Sequence, residues 1–166
     1  KLVGLKMVLP DEKLALAHYS IDPDWAVKTG TKTFESYEKQ GLPMPGKNPV
    51  EFAEKIRQQL VKFMTSGPVV PMVWQGMGAV RVVRKITGST EPLTSSPGTI
   101  RGDFTIDSYT ASDLDSRAVR NIIHSSGSVE EADAEIPLWF KSSEILKYRL
   151  VTEEILYDVN LDGILE

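Results

Sequence analysis

The chain opens on a nearly unbroken apolar run, LVGLKMVL at 2–9, which Pro10-Asp11 brings to an end. A short apolar run bounded by turn residues predicts a buried strand. DEKLALAHY follows, with Asp11 placed to cap a helix that reaches Tyr19. From Ser20 to Gly46 the periodicity dissolves into Gly, Pro, Thr and Lys with scattered aromatics, the pattern of a surface excursion with room for one short helix. Asn48-Pro49-Val50-Glu51 then starts a helix, with a capping side chain, a proline at the first helical position and Glu three residues after the cap. Phe52, Ile56, Leu60 and Phe63 share one face of it, and Gly67-Pro68 stops it.

VVPMVW (69–74) predicts a second strand, in which Pro71 removes one ladder donor and points to an edge or a bulge. Ala79, Val82, Val83 and Ile86 recur at helical spacing up to Gly88, while Arg81, Arg84 and Lys85 occupy the other side. Taken alone, those cations read as a solvated face. Residues 90–98 form a loop by their Pro, Ser and Thr content, TIRGDFTI (99–106) alternates as a strand, and Ser108–Ser116 is a polar excursion. Val119–Ile123 predicts a short final strand. Ser128 and Glu131 form a capping box for a helix with Val129, Ala132 and Ile136 turned inward and Pro137 at its end. Beyond Phe140 the pattern is less regular, and LVTEEILYDV gives mixed signals. Alternating strands and helices place the chain in the α/β or α+β class, built on one sheet.

Composition narrows the function. A chain of 166 residues, 41% hydrophobic and 25% charged, suits one globular domain. A net charge of −4 argues against a broad nucleic-acid or membrane surface, yet leaves room for a local basic pocket. The absence of cysteine excludes disulfides and thiolate zinc sites and fits a cytoplasmic, reducing setting. The sequence has no apolar run of membrane-spanning length and no secretory signal pattern. Its first residues already lie inside an apolar run, as if the chain began in the middle of a fold.

The candidate chemistry centres on RNIIHSSGS at 120–128. Of the two histidines, His18 sits on a short amphipathic helix and reads as structural. His124 ends an apolar segment, is followed by small residues, has the Ser126 hydroxyl close by, and has Glu135 two turns into the next helix. A working imidazole needs one basic nitrogen and an acceptor that fixes the other, and a carboxylate is such an acceptor. GxSxG, a Walker loop and GxGxxG are all absent. Arg84 and Arg101 supply guanidinium forks that match phosphate, and Arg101 is odd in a strand unless an anion or a carboxylate neutralises it. Histidine plus arginines without a metal cluster points to phosphoryl transfer through a phosphohistidine.

TSGPVVPMVW (65–74), GAVRVVRKITGSTEP (78–92), PGTIRGDF (97–104) and RNIIHSSGSVEEADAEIPLWF (120–140), in this order, resemble the nucleoside diphosphate kinase family. KLVGLKM at the start resembles that family's second strand. The resemblance implies one such domain over 1–166, with insertions near 20–46 and 108–116. It implies a ferredoxin-like α/β sandwich, an antiparallel four-stranded sheet with helices, here incomplete at the N-terminal end. The implied reaction moves the γ-phosphate of a nucleoside triphosphate such as ATP to a nucleoside diphosphate, by a ping-pong route through a phosphorylated histidine. Mg²⁺ arrives on the nucleotide phosphates. The implied nucleophile is His124, oriented by Glu135 beside Ser126, with Arg84, Arg101 and Thr90 on the phosphates. Asn121 contacts the sugar and phosphate end, and Tyr19 supports the histidine pocket. Implied partners are nucleoside di- and triphosphates and further copies of the chain, as hexamer or tetramer, with neither membrane nor specific nucleic acid.

The chain departs from the family pattern at several points. No Lys-Pro-Asp strand is present, and one is expected ahead of Lys1 in a longer gene product. The family's H-G-S-D-S reads HSSGS here, so Gly127 stands where an acidic residue is usual. The base-stacking phenylalanine position falls on Ile56. These departures keep a second reading alive, a non-catalytic nucleotide-binding or assembly paralogue.

Overall fold

The computed structural model describes residues 1–39 and 41–157. Its sheet pairs β1 (Leu2–Leu5) with β2 (Met72–Trp74) antiparallel, with Gly4 opposite Val73 and Leu5 opposite Met72. The apolar run continues past β1, and Val8 and Val69 exchange backbone hydrogen bonds of 2.9 and 2.8 Å. Between them Pro71 offers only its carbonyl, to the Lys6 N–H at 3.3 Å, so the proline shortens β2 as its missing donor requires. Val3, Val73 and Phe140 form the buried core beside the sheet, with Ile136, Trp139 and Ile145 packed against them. Gly4 permits that packing, because a Cβ there would lie 3.1 Å from the Phe140 ring.

The predicted caps hold. Asp11 accepts the Leu14 N–H at 2.7 Å and starts α1 (Glu12–His18). Asn48 accepts from Val50 and Glu51 and starts α3 (Pro49–Met64). The stretch between them is more regular than its composition predicts. Trp25–Lys39 is a 15-residue helix, α2, lying along α3. Gly30 reads as loop punctuation in the sequence but is a contact residue, since a Cβ there would fall 2.2 Å from the Pro49 carbonyl oxygen. Phe34 against Phe52 (ring centroids 6.0 Å apart) and Arg57 over the Trp25 ring complete the contact.

α4 (Ala79–Thr87) ends at Gly88 as expected, although Val82 and Ile86 on its apolar stripe stay about half exposed. The segment 99–106 is not a strand. Ile100–Phe104 is a one-turn helix, α5, because Thr99 caps it by accepting the Gly102 N–H, and Asp103 accepts the Gly98 N–H. A brief alternation cannot compete with two such local bonds. The polar excursion contains α6 (Tyr109–Leu114), capped by Ser108. Val119–Ile123 is a looped segment rather than a strand, so the four-stranded sheet is represented among the described residues by the β1–β2 pair.

α7 (Val129–Trp139) runs through Pro137 instead of stopping there, since only one backbone bond is lost two residues from the end. Ala132 and Ile136 are partly covered, but Val129 is 60% exposed, and the buried residue of α7 is Glu135. α8 (Val151–Tyr157) resolves the mixed signals of LVTEEILYDV up to 157. The remainder of that segment, and of the 1–166 domain, lies outside the described residues.

Candidate active site

The loop carrying His124 is tied down at its start. Arg117 donates to both oxygens of Asp107, at 2.6 and 2.9 Å, and Asp107 also accepts the Arg120 N–H at 2.7 Å. The Arg117 side chain foremost, aided by the backbone donors, holds the Asp107 carboxyl far below the usual carboxylate range. A tight turn follows, in which the Ile123 N–H reaches the Asn121 carbonyl at 2.6 Å around Ile122, whose φ is +53°. A β-branched residue at positive φ is a genuine outlier, costing about 1–3 kcal/mol, and such strain is found where a site overrules local preference.

His124 projects from this turn with its side chain 44% exposed. Its Nε2 lies 2.8 Å from Glu135 Oε1, and the Ser126 hydroxyl donates to Glu135 Oε2. α7 brings Glu135 back to the loop, with 8% of the residue exposed. Burial alone would raise its pKa, but the bonds from His124 and Ser126 and the nearby histidines outweigh that, and the net shift is downward. An ionised acceptor on Nε2 fixes the proton there and leaves Nδ1 basic. Sequence reasoning places these three residues together, and so does the structure.

His18 is more than a packing residue. It is 7% exposed, its ring meets the His124 ring edge-on at 4.7 Å, and its Nδ1 lies 3.7 Å from Glu135 Oε1. The Trp139 indole N–H donates to the same Nδ1 at 3.4 Å. Burial, followed by the field of His124, lowers the His18 pKa to about 4 despite the opposing pull of Glu135, so the ring is neutral. Tyr19 stands edge-on to His18 at 5.0 Å, and burial with the Glu135 charge pushes its phenol up to about 12. The sequence signal for His18 is its adjacency to Tyr19 at the end of α1.

Arg101 belongs to α5, not to a strand, and is 7% exposed. Its guanidinium donates to the carbonyls of Gly88, Ser89 and Ile123 at 3.2, 2.9 and 2.5 Å. Residue 88 has to be a glycine for another reason: its φ is +91°, and a Cβ would lie 2.7 Å from Thr99 Oγ1. No carboxylate pairs with Arg101 among the described residues. Burial first, then repulsion from Arg84, lowers its pKa. Arg84, exposed on α4, donates to the Ser125 carbonyl at 3.3 Å. The Asn121 amide donates to the Thr90 carbonyl at 3.0 Å, and the Tyr109 phenol hydrogen-bonds Thr90, a contact made by the polar excursion that the sequence did not reveal. Tyr19, Arg84, Thr90, Arg101, Asn121, His124, Ser126 and Glu135 all line one open cleft. Two guanidiniums in that cleft, neither paired with a carboxylate among the described residues, make it a site for an anion.

His18, His124 and Glu135 are also the group of metal-ligating side chains among the described residues, with ligand atoms within 4.8 Å of one another. Two imidazoles and a carboxylate suit Zn²⁺ better than Mg²⁺, which demands oxygen ligands. Both Glu135 oxygens are already engaged.

A family model described as nucleoside diphosphate kinase matches residues 51–145. The nucleoside diphosphate kinase of Pyrobaculum aerophilum is 40% identical over 151 residues, covering 89% of this chain and 82% of that protein. The crystal structure of an NDP kinase from the same organism superposes with a TM-score of 0.82 at 40% identity, covering 89% of this chain and 83% of that one. The Borrelia burgdorferi nucleoside diphosphate kinase, solved as a transition-state mimic with bound vanadate and ADP, superposes with a TM-score of 0.72 at 34% identity over 93% of this chain and 78% of that one. The overlap places the chain in the ferredoxin-like α/β class.

Proposed function

Because the chain belongs to the nucleoside diphosphate kinase family, we propose that His124 is the group through which it passes a γ-phosphate from a nucleoside triphosphate to a nucleoside diphosphate. The observation that carries this reading is the bond from His124 Nε2 to buried, ionised Glu135, which leaves Nδ1 basic beside the cleft that Arg84 and Arg101 make cationic. Nδ1 attacks the γ-phosphorus, an N–P bond forms, and the bond from phosphorus to the bridging oxygen breaks as the diphosphate leaves with that oxygen. A terminal oxygen of a second diphosphate then attacks the phosphohistidine, the N–P bond breaks, and Nδ1 regains its lone pair. Glu135 stabilises the ring while it carries charge, and the Ser126 hydroxyl keeps the carboxylate aimed.

Arg84 and Arg101 balance the charge spread over the transferring group, which is the main demand of phosphoryl transfer. Arg101 is preorganised by its three carbonyl contacts, whereas Arg84 stands at the exposed side and meets the incoming phosphates. Thr90 and Asn121, tied to each other, take the phosphate and sugar end, and Tyr19 backs the histidine pair. Mg²⁺ would arrive with the nucleotide phosphates and would neutralise part of their charge.

Incubation with γ-³²P-ATP tests the reading. The wild-type chain is expected to take up acid-labile, alkali-stable label that ADP removes, and His124→Ala is expected to take up none. Label retained by His124→Ala overturns the assignment. The chain also works as a homo-oligomer, hexamer or tetramer, in a cytoplasmic setting. The first of these is supported by the apolar surface left open on the protomer.

A further inference from the structure

Gly127 stands where the family pattern H-G-S-D-S carries its acidic residue, and its backbone gives no reason for a glycine. Among the described residues the glycines at positive φ are Gly41, Gly78, Gly88 and Gly98, and Gly127 is not one of them. The reason is steric and comes from α7. A Cβ on residue 127 would lie 2.6 Å from Oε2 of Glu131, so a side chain there would require the Glu131 carboxylate to swing out of its place. The same point is 3.8 Å from the Arg84 guanidinium. The space that an acidic side chain at 127 would enter is thus filled by a carboxylate arriving from one turn further along the chain.

We infer that Glu131 is a positioning residue for phosphoryl transfer, supplying from the first turn of α7 the carboxylate that this chain lacks at 127. Glu131 Oε2 accepts the Gly127 N–H at 2.6 Å, while its own N–H donates to the Ser128 hydroxyl at 3.1 Å. This differs from the capping box read from the sequence, in which the Glu would accept the Ser128 N–H. The acceptor has moved one residue toward His124. On the other flank of the same turn, Arg84 donates to the Ser125 carbonyl. Residues 125–127 are therefore gripped on both sides, and Ser126 between the grips is the residue whose hydroxyl aims Glu135. Glu131 acts through the backbone of Gly127 on Ser126, and through Ser126 on the carboxylate that orients His124.

The inference rests on His124 being the phosphoryl acceptor, so the closing experiment measures wild-type labelling first. Single-turnover phosphorylation of the full chain by Mg·ATP is then compared for Glu131→Ala, Glu131→Gln, Gly127→Asp and the double variant Gly127→Asp/Glu131→Ala, with nucleotide affinity and circular dichroism measured on each. Glu131→Ala is expected to slow phosphorylation about tenfold, equivalent to roughly 1.4 kcal/mol, with little change in nucleotide affinity. Glu131→Gln, whose amide oxygen still accepts the Gly127 N–H, is expected to recover most of that loss. Gly127→Asp alone is expected to lose at least as much, because its side chain displaces the Glu131 carboxylate from the residue 127 N–H and sets a second negative charge beside it. The double variant, with one carboxylate again beside Arg84, is expected to return to within about threefold of wild type, a strongly non-additive cycle. Losses in the double variant equal to the product of the single ones overturn the inference, as does Glu131→Gln behaving like Glu131→Ala. A wild-type chain that takes no label overturns instead the assignment of His124.

Discussion

His18 shows how much one buried side chain can add to the surroundings of a candidate site residue. Its ring is held neutral by burial and by His124, with Glu135, Tyr19 and Trp139 completing its surroundings. That neutrality leaves the Glu135 charge for His124. It also has a consequence for stability. The folded pKa of about 4 lies below the ordinary 6.5, so as pH falls through 6.5 the unfolded chain takes up a proton that the folded chain refuses until about pH 4. Stability from this group is complete above pH 6.5 and declines toward pH 4, by at most roughly 1.4 kcal/mol per pH unit. Glu135, whose pKa is also lowered, adds its own loss at the acidic end of that range. Urea unfolding between pH 7 and 4 should show this slope, and His18→Gln, which can still accept the Trp139 N–H, should flatten it. An unchanged slope in the variant would mean that His18 is not buried as described.

At the scale of elements, the least expected feature is α2. Its composition resembles a loop because Gly30 and several threonines interrupt the apolar pattern. Intrinsic preference is a weak guide when a helix has a partner, and α2 has α3 along its length. Tyr37 at its far end donates to Asp113 of α6, so the two segments that composition marks as excursions meet beside the cleft. Gly30 makes the test. Helix propensity alone predicts that Gly30→Ala stabilises the protein by about 1 kcal/mol. The 2.2 Å approach to the Pro49 carbonyl predicts the opposite, a loss of about 1–3 kcal/mol from overpacking. A urea titration decides between them: a more stable variant would show that the close α2–α3 contact is absent.

At the scale of the molecule, the protomer leaves Leu93, Phe104 and Ile106 open, at 69%, 76% and 92% exposure. The Leu93 N–H bonds the Asp107 carbonyl at 3.1 Å, next in the chain to Ile106. A neighbourhood this apolar calls for a cover, and a second copy of the chain is the cover we expect. Sedimentation velocity should find the wild type assembled and Ile106→Glu shifted toward smaller species. A wild type that sediments as a single protomer at micromolar concentration would remove the argument.

Much of this protein is legible in the chain alone, and the reason differs by feature. Local chemistry speaks for itself: Asp11, Asn48 and Ser128 cap their helices because a short acceptor beside three free N–H groups has few alternatives. Ordered motifs likewise bring His124, Glu135, Ser126 and the two arginines forward as candidates, since phosphate chemistry draws on few residue types. Features set by distant contacts stay hidden. Whether 99–106 becomes strand or helix rests on Thr99 and Asp103 closing local bonds, which alternation does not report. That His18 stands against His124, 106 positions along the sequence numbering of the two residues, follows from α1 meeting α7 in space. Likewise the glycine at 127 is explained only once Glu131 is seen to occupy the space its side chain would need. Helix starts and the kind of chemistry can be read along the chain because both are carried by residue type and near spacing. Which groups are neutral and which close contacts need a glycine emerges with the folded neighbours, because burial and close approach are properties that sequence order does not name.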